Sequence, residues 1–324
     1  MRAAYPEGMA LGFIPSDAAM LCVQAGVVAA PRRPPQIPWI RRLSGPGWAL
    51  IPIGSIVVVI FAIRYMSGTA TGLTWLALVG VPVLAAIALG WAGHGARWWL
   101  SALVVPLFVV AWASKSTLWG QGAATVLSAL SCVTLGWLLA AVAPPRWLKL
   151  GILAMAAADV WLVTSDLLQA PNDTLTVAAP LPHSGLHLPQ LQSEQFGTVL
   201  FGYGDLFVAG VFGAVLAREG RRQWPMALLT LFVAGLYDLL FFVVNELAAT
   251  VPVAVALIVG EAWVWVARRR RARAPAGVAV AGAAQWGSSP VEAGGRDSSA
   301  SDVIASLPRA ASSSTSVASS ADRE

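Results

Sequence analysis

The chain has 324 residues, of which 57% are hydrophobic and only 11% are charged, and its net charge is +5. Soluble domains are roughly 45–50% apolar and about 25% charged, so this composition excludes a cytosolic enzyme, a nucleic-acid-binding domain and a secreted disulfide scaffold. The two cysteines, Cys22 and Cys132, are far apart and have neither a disulfide pattern nor zinc-ligand spacing. The sequence predicts an all-α, polytopic membrane protein with no metal or other cofactor.

Apolar runs predict nine membrane-spanning helices, because a helix needs roughly 20 apolar residues to cross the hydrocarbon core. The first run contains Pro15 and Asp17, and Glu7 precedes it where a signal peptide would have basic residues, so it is interpreted as a true span. In chain order, the runs lie at about 9–30, 48–66, 72–92, 97–113, 122–142, 148–168, 196–217, 226–246 and 250–267.

These spans divide the chain into three predicted regions. Residues 1–147 hold about five N-terminal spans with short loops, and residues 148–267 form a membrane core with the candidate site. Residues 268–324 contain a basic stop sequence and a tail. From about residue 274 the tail is rich in Ala, Gly, Ser and Pro, so we expect it to be disordered.

Basic residues predict the orientation of the spans. Alternate loops carry nearly all of the basic residues: Arg32, Arg33, Arg41, Arg42, Arg97, Arg146, Lys149, Arg218, Arg221, Arg222 and the run 268–273. The positive-inside rule places these loops in the cytoplasm. The N-terminus and the loop 169–195 are then outside, the C-terminus is cytoplasmic, and the basic run contacts anionic membrane lipid. The expected location is a bacterial plasma membrane.

Four carboxylates lie within predicted spans or near their ends: Asp159, Asp166, Asp205 and Asp238. An ionisable residue in hydrocarbon is costly and therefore a candidate functional group. At 1.5 Å per residue, Asp159 lies ~16 Å from the inner end of the sixth span and Asp205 ~18 Å from that of the seventh. Asp166 lies two turns further out. Asp238, in the eighth span, is also ~18 Å from the inner end and rivals the other two.

The sequence Gly202-Tyr203-Gly204-Asp205 surrounds one of these carboxylates with glycine. Two glycines one residue apart loosen a helix and expose its backbone, which a membrane tolerates only beside protein or a wet cavity. Two neighbouring carboxylates in such a site share a proton, as in aspartic proteases. One activates water and the other polarises the peptide carbonyl, so no serine, histidine or cysteine nucleophile is needed.

At these residues the chain resembles the presenilin and signal peptide peptidase family of intramembrane aspartyl proteases. The segment from Asp159 to Val163 resembles the family's first catalytic-aspartate segment, and the segment from Phe201 to Phe212 resembles the second, with its Gly-x-Gly-Asp motif. The family's Pro-Ala-Leu motif corresponds to the segment from Pro252 to Leu257. The resemblance covers about 145–267 and implies a proteolytic dyad of Asp159 and Asp205.

The same resemblance implies the substrate and its contacts. The substrate is a transmembrane peptide, and with the signal peptide peptidase orientation it is a single-span helix whose N-terminus is cytoplasmic. The implied substrate-binding residues are Gly202, Tyr203, Gly204, Pro252, Ala254, Ala256 and Leu257. Because proline lacks an amide and disfavours helix before it, we expect irregular or extended backbone at Pro252 that pairs with the unwound substrate. The oligomeric state stays open.

Two other function classes remain. Prepilin-peptidase-like proteases also use Gly-x-Gly-Asp, but they usually follow it with a Lys-containing segment, whereas Leu206, Phe207 and Val208 are apolar here. The other class is a transporter or non-catalytic scaffold that uses Asp159, Asp205 and Asp238 as a proton or cation path. His183 and His187 have i, i+4 spacing, but the prolines and glycine around them argue against a helical metal site.

Overall fold

The computed structural model describes residues 7–35, 54, 69–165, 191, 193–197, 199–242 and 247–273. The predicted second span, apart from Gly54, lies outside the described residues, as do Asp166, His183, His187 and the tail from residue 274. By its contacts the chain divides into two units, Met1–Arg270 and Arg271–Glu324, and the description that follows concerns the first.

The described chain is helical apart from one β-hairpin. The α-helices are α1 (Glu7–Ala29), α2 (Thr69–Ile87), α3 (Val104–Ala113), α4 (Leu118–Val142), α5 (Pro145–Thr164), α6 (Tyr203–Arg218), α7 (Gln223–Asp238) and α8 (Val251–Arg273). A π-helical turn (Ala88–Ala92) extends α2, and 3₁₀ turns precede α3 (Trp98–Leu103) and follow α7 (Leu239–Phe242). Strands β1 (Ser193–Phe196) and β2 (Val199–Gly202) pair antiparallel, with Ser193 opposite Gly202 and Phe196 opposite Val199.

Four described helical segments are long and apolar enough to cross a membrane: Gly72–Ala92, Leu118–Val142, Pro145–Thr164 and Val251–Arg270. Shorter apolar helices occupy Pro15–Ala29 and Trp98–Ala113. Many large apolar side chains on these helices face outward, such as Trp161 at 69% exposed and Trp263 at 76%. Exposed apolar surface on long apolar helices is typical of a membrane protein, and the coarse prediction of a helical membrane protein agrees with this architecture.

Helix α6 is the centre of the fold. All of its residues from Val208 to Ala217 are buried, and it packs most extensively against α4. At this crossing Gly136 and Gly210 face each other, and a Cβ on either glycine would overlap the backbone of α4 or α6. On another side, a Cβ at Gly213 would overlap the backbone of α1 at Val28. Glycine therefore permits two neighbouring helix backbones to contact α6 directly.

Polar side chains close the end of the bundle where α6 terminates. The guanidinium of Arg218 donates to the carbonyls of Ala140 and Ala143, which satisfies carbonyls that the end of α4 leaves free. The buried amide of Gln223 donates to the carbonyls of Pro31 and Gly213, each at 2.9 Å. These hydrogen bonds tie α1, α4, α6 and α7 together at one end.

An ionic cluster joins α5, α6 and α8 at the same end. Lys149 pairs with Glu219 and, at 3.0 Å, with Glu261. Arg221 also pairs with Glu261, and its guanidinium donates to the carbonyl of Gly260 at 2.8 Å. Because Lys149 lies near the start of α5 and Glu219 directly follows the end of α6, this contact shows that α5 and α6 run antiparallel.

The hairpin corrects the predicted seventh span. The apolar run 196–217 was expected to form one helix, but its first residues form a strand and α6 begins only at Tyr203. Gly197 has a φ of +62°, which turns the chain between the strands, and its amide donates to the Gln121 side chain on α4 at 2.8 Å. The motif at Gly202 therefore lies at the start of a helix, not in the middle of a span.

Candidate functional site

Asp159 lies near the end of α5 and is held by the turn that precedes α8. Its Oδ2 accepts a hydrogen bond from the Thr250 hydroxyl at 2.7 Å, and the backbone of Thr250 also hydrogen-bonds this carboxylate. Asp159 is half-buried, and Thr250 is 3% exposed. The contact brings the predicted first aspartate to within two residues of Pro252.

Side chains from two other helices fix the same turn. The Gln24 amide on α1 donates to the carbonyl of Ala249 at 2.9 Å, and the Tyr237 hydroxyl on α7 lies near the backbone of Ala248. Together with Asp159, these contacts position the turn from three sides. The helix α8 can therefore begin directly after it.

The extended backbone expected at Pro252 is not present. Helix α8 starts at Val251, so Pro252 lies in the first helical turn, and the amide of Ala254 donates to the carbonyl of Thr250 at 3.1 Å. Proline is tolerated in a first turn because amides there have no partner within the helix. The prediction of irregular backbone at Pro252 was wrong.

Asp205 lies in the first turn of α6. Its Oδ2 accepts a hydrogen bond from the amide of Gly202 at 3.1 Å and so caps the helix. A Cβ at Gly202 would lie only 3.1 Å from the same oxygen, so glycine lets the carboxylate approach closely. Asp205 is half-buried, while Gly202 and Gly204 are exposed. The second aspartate is therefore fixed at an accessible helix start.

The β-hairpin leads directly into Asp205. Strand β2 ends at Gly202, three residues before the carboxylate, and its partner β1 packs against α4. The hairpin turn also abuts α1, since a Cβ at Gly197 would overlap the Ser16 side chain. In the described chain the sheet has two strands, so no further described strand pairs with the outer edge of β2. Extended backbone thus lies beside Asp205 rather than at Pro252.

The two predicted catalytic carboxylates lie at similar heights. With the contact of Lys149 and Glu219 as the common origin, Asp159 is 10 residues and Asp205 is 14 residues along their helices. These separations correspond to ~15 Å and ~21 Å, an offset of about one helical turn. Because α5 and α6 pack against each other, the two residues lie on neighbouring helices and differ in height by about one turn.

A second carboxyl pair was not predicted. The side chains of Asp17 on α1 and Asp238 on α7 lie close enough to interact. Oδ2 of Asp238 is buried and has no hydrogen-bond partner in the described part of the chain. In the sequence, Asp17 stands out only as an interruption of the first apolar run.

The other predicted binding residues lie mostly in the core. The Tyr203 hydroxyl is 2.7 Å from Oγ of Ser131 on α4, and Pro252 is buried. Ala254, Ala256 and Leu257 are 6%, 0% and 2% exposed and belong to the main hydrophobic cluster. A substrate could contact this segment of α8 only after some displacement of its neighbours.

The carboxylates form two separate levels. Asp17, Asp159, Asp205 and Asp238 lie toward one end, and Glu219 and Glu261 lie in the ionic cluster at the other. No acidic residue occurs between these levels in α1, α5, α6, α7 or α8. Among the described residues, no group of three or more His, Cys, Asp or Glu side chains is placed to hold a metal ion.

No protein-family model, curated protein or solved structure matches this chain.

Proposed function

We propose that this protein is an intramembrane aspartyl protease of the presenilin and signal peptide peptidase type. The observation that carries the proposal is the hydrogen bond from Thr250 to Asp159. It joins the first aspartate, on α5, to the Pro252 segment. Helix α5 in turn packs against α6, whose first turn contains Asp205. These three parts are the ones that the resemblance requires at one site.

In the proposed reaction, Asp159 and Asp205 share one proton and hold a water molecule between them. The ionised carboxylate removes a proton from water as the oxygen attacks the peptide carbonyl carbon, and the protonated one donates to the carbonyl oxygen. The tetrahedral intermediate then collapses: the C–N bond breaks and the amine leaves with a proton from the dyad. No metal or organic cofactor takes part.

The hairpin supports this proposal because a transmembrane helix must unwind before its peptide bond can be attacked. An extended substrate can add to the outer edge of β2 by main-chain hydrogen bonds. Strand β2 continues into Gly202 and Asp205, so a substrate paired with it would lie beside the carboxylate. The β2 edge replaces Pro252 as the proposed strand-pairing element.

The distribution of the carboxylates favours a protease over a transporter. A proton or cation path needs polar groups along the whole distance across the bilayer. Here no acidic residue of the five helices lies between the level of Asp159 and Asp205 and the ionic cluster, so no chain of carboxylates joins the two. The proximity of Asp17 and Asp238 is the observation that favours the second candidate, a non-catalytic scaffold in which this side-chain contact joins α1 to α7.

The experiment that tests the proposed function uses two model substrates with the same apolar span in opposite orientations. Each is co-expressed with the protein, and the products are mapped by mass spectrometry. We expect cleavage within the span of the substrate whose N-terminus is cytoplasmic, because a chiral site in a fixed orientation accepts one strand direction. Cleavage of neither substrate would contradict the protease. Preferential cleavage of the opposite orientation would contradict the proposed topology, in which the N-terminus of the enzyme is outside.

Thr250 gives a more local prediction. Thr250→Val removes the hydroxyl that bonds Asp159 while keeping the shape of the side chain, and Thr250→Ser keeps the hydroxyl. A hydrogen bond to a charged group contributes about 1.5–3 kcal/mol, so we expect kcat to fall about tenfold or more in the valine variant. The serine variant should retain most activity, and KM should change little in either. Equal rates for the two variants would remove Thr250 as a positioning residue.

A further inference from the structure

Three chain segments meet at the end of the bundle that carries the ionic cluster. The segment after α1 forms two backbone hydrogen bonds with the end of the π turn and the residues after it. The Arg32 amide donates to the Ala92 carbonyl at 2.7 Å, and the His94 amide donates to the Ala30 carbonyl at 2.8 Å. The start of α7 joins them through Gln223, whose side chain donates to the Pro31 carbonyl at 2.9 Å. Arg32, His94 and Arg222 therefore share one structured surface.

A cleft of about 500 Å³ opens at this junction, and Ala29, His94, Arg221, Arg222, Gln223, Trp224 and Pro225 line it. Arg221 is already paired with Glu219 and Glu261. In contrast, the exposed guanidinium of Arg222 has no hydrogen-bond or ion-pair partner in the described chain. His94 Nδ1 lies 3.2 Å from the Ala30 carbonyl, so Nε2 can donate to an anion when the ring carries both protons. The cleft thus offers the charge of Arg222, which the protein does not neutralise, and a second donor from the doubly protonated ring of His94.

An apolar cavity of about 130 Å³ lies next to this cleft and shares His94 with it. Its other lining residues are almost all small or aliphatic: Ala30, Ala88, Leu89, Gly93, Gly95, Ala96, Leu100, Leu130 and Val133. A ligand that fills both spaces must carry a polar group and an apolar group side by side. A free inorganic anion has no apolar group that could fill the apolar cavity.

The charge around the cleft is strongly positive. Arg32, Arg33, Arg97 and Arg222 are all exposed, and the segments 30–35, 93–97 and 222–225 contain no acidic residue. Trp224 lines the cleft and is 66% exposed. Exposed tryptophan is enriched at the membrane interface, where its ring lies at the level of lipid headgroups. Both features match an anionic lipid surface.

We propose that this cleft is a specific site for an anionic phospholipid. Arg222 and His94 bind the phosphate of the headgroup, and the first carbons of an acyl chain enter the apolar cavity beside His94. Arginine suits this role because its planar fork can make two hydrogen bonds to one phosphate. Basic pockets between membrane helices on the cytoplasmic side are places where anionic headgroups bind. The site is independent of the proposed protease activity.

The test uses the full-length protein, delipidated in a neutral detergent and titrated with phosphatidylglycerol or phosphatidylcholine. Native mass spectrometry counts bound lipid, and the thermal unfolding midpoint reports stabilisation. We expect phosphatidylglycerol to bind at least tenfold more tightly and to raise the midpoint. Arg222→Gln and His94→Gln should each lose most of that preference while unfolding normally without lipid.

Arg146→Gln is the matched control, since it removes one exposed positive charge from α5 and does not line the cleft. It should bind phosphatidylglycerol like the unaltered protein. An equal loss in Arg146→Gln and Arg222→Gln would overturn the proposal in favour of general charge attraction. Equal binding of the two lipids would also overturn it. Stabilisation by inorganic phosphate alone, to the same extent, would show a free-anion site instead.

Discussion

Asp159→Asn and Asp205→Asn should each abolish cleavage while leaving the protein folded. Asparagine has nearly the same shape as aspartate, but it can neither accept a proton from water nor donate one to the carbonyl oxygen. Loss of a positioned acid or base typically costs 10²- to 10⁴-fold in rate, and here each residue serves in both halves of the reaction. The measurement is turnover of a single-span peptide in liposomes, with gel filtration as the check on folding.

Asp17→Asn and Asp238→Asn are the matched controls, because they make the same chemical change in the other carboxyl pair. An asparagine can still donate to the remaining carboxylate, so the contact between α1 and α7 can persist. We expect both variants to retain activity. If Asp238→Asn is inert and Asp159→Asn is active, the catalytic acids belong to α1 and α7.

The second large effect concerns the crossing of α4 and α6. A Cβ at Gly210 would overlap the carbonyl of Cys132, and a Cβ at Gly136 would overlap the backbone of α6. The obstacle in each case is a backbone, which cannot rotate away as a side chain can. Overpacking of a core costs about 1–3 kcal/mol, so Gly210→Ala should lower the unfolding midpoint clearly and Gly210→Leu should prevent folding.

Gly80→Ala provides the control for this prediction. Gly80 also lies within an apolar helix, α2, but nothing lies within 4 Å of a Cβ placed there. The alanine variant should therefore be as stable as the parent, or slightly more stable because alanine is the better helix former. If Gly210→Ala and Gly80→Ala unfold at the same temperature, the two backbones do not meet as described.

Hydropathy predicted the long helices well. The expected spans 122–142, 148–168 and 250–267 correspond to α4, α5 and α8, and their starts differ by a few residues. A run of apolar residues must satisfy its own backbone hydrogen bonds in a membrane, so helix is the default. Hydropathy does not predict helix ends that are determined by contacts of polar side chains. One example is the start of α8 at Val251, directly after Thr250.

The β-hairpin escaped prediction because its residues are as apolar as the helix that follows. Val199, Leu200 and Phe201 continue without interruption into α6, so a hydropathy window joins them. The available signal was local: Gly197 and Gly202 bracket a short segment of β-formers, which is typical of a strand between turns. The hairpin also depends on long-range contacts to Gln121 and Ser16, which no local pattern contains.

The candidate site was predictable only in part, for a similar reason. Heights along adjacent antiparallel helices follow from the 1.5 Å rise, so Asp159 and Asp205 could be placed at similar levels. The contact between Asp17 and Asp238 joins the first described helix to a distant one, and nothing in either helix identifies the other. Thr250 is a neutral residue in a short turn, and only the packing of α5 against that turn gives it a role.

The central claim is that Asp159 and Asp205 belong to one site, and cross-linking tests it most directly. In a variant without Cys22 and Cys132, both aspartates are replaced with cysteine and treated with a short bifunctional thiol reagent in native membranes. Ala154→Cys with Asp205→Cys is the control, because residue 154 lies more than a helical turn below Asp159. We expect an efficient intramolecular cross-link for 159 with 205 and little for 154 with 205. The pair Asp17→Cys with Asp238→Cys is the positive control for the reagent. If that pair is cross-linked and 159 with 205 is not, Asp159 and Asp205 do not belong to one site.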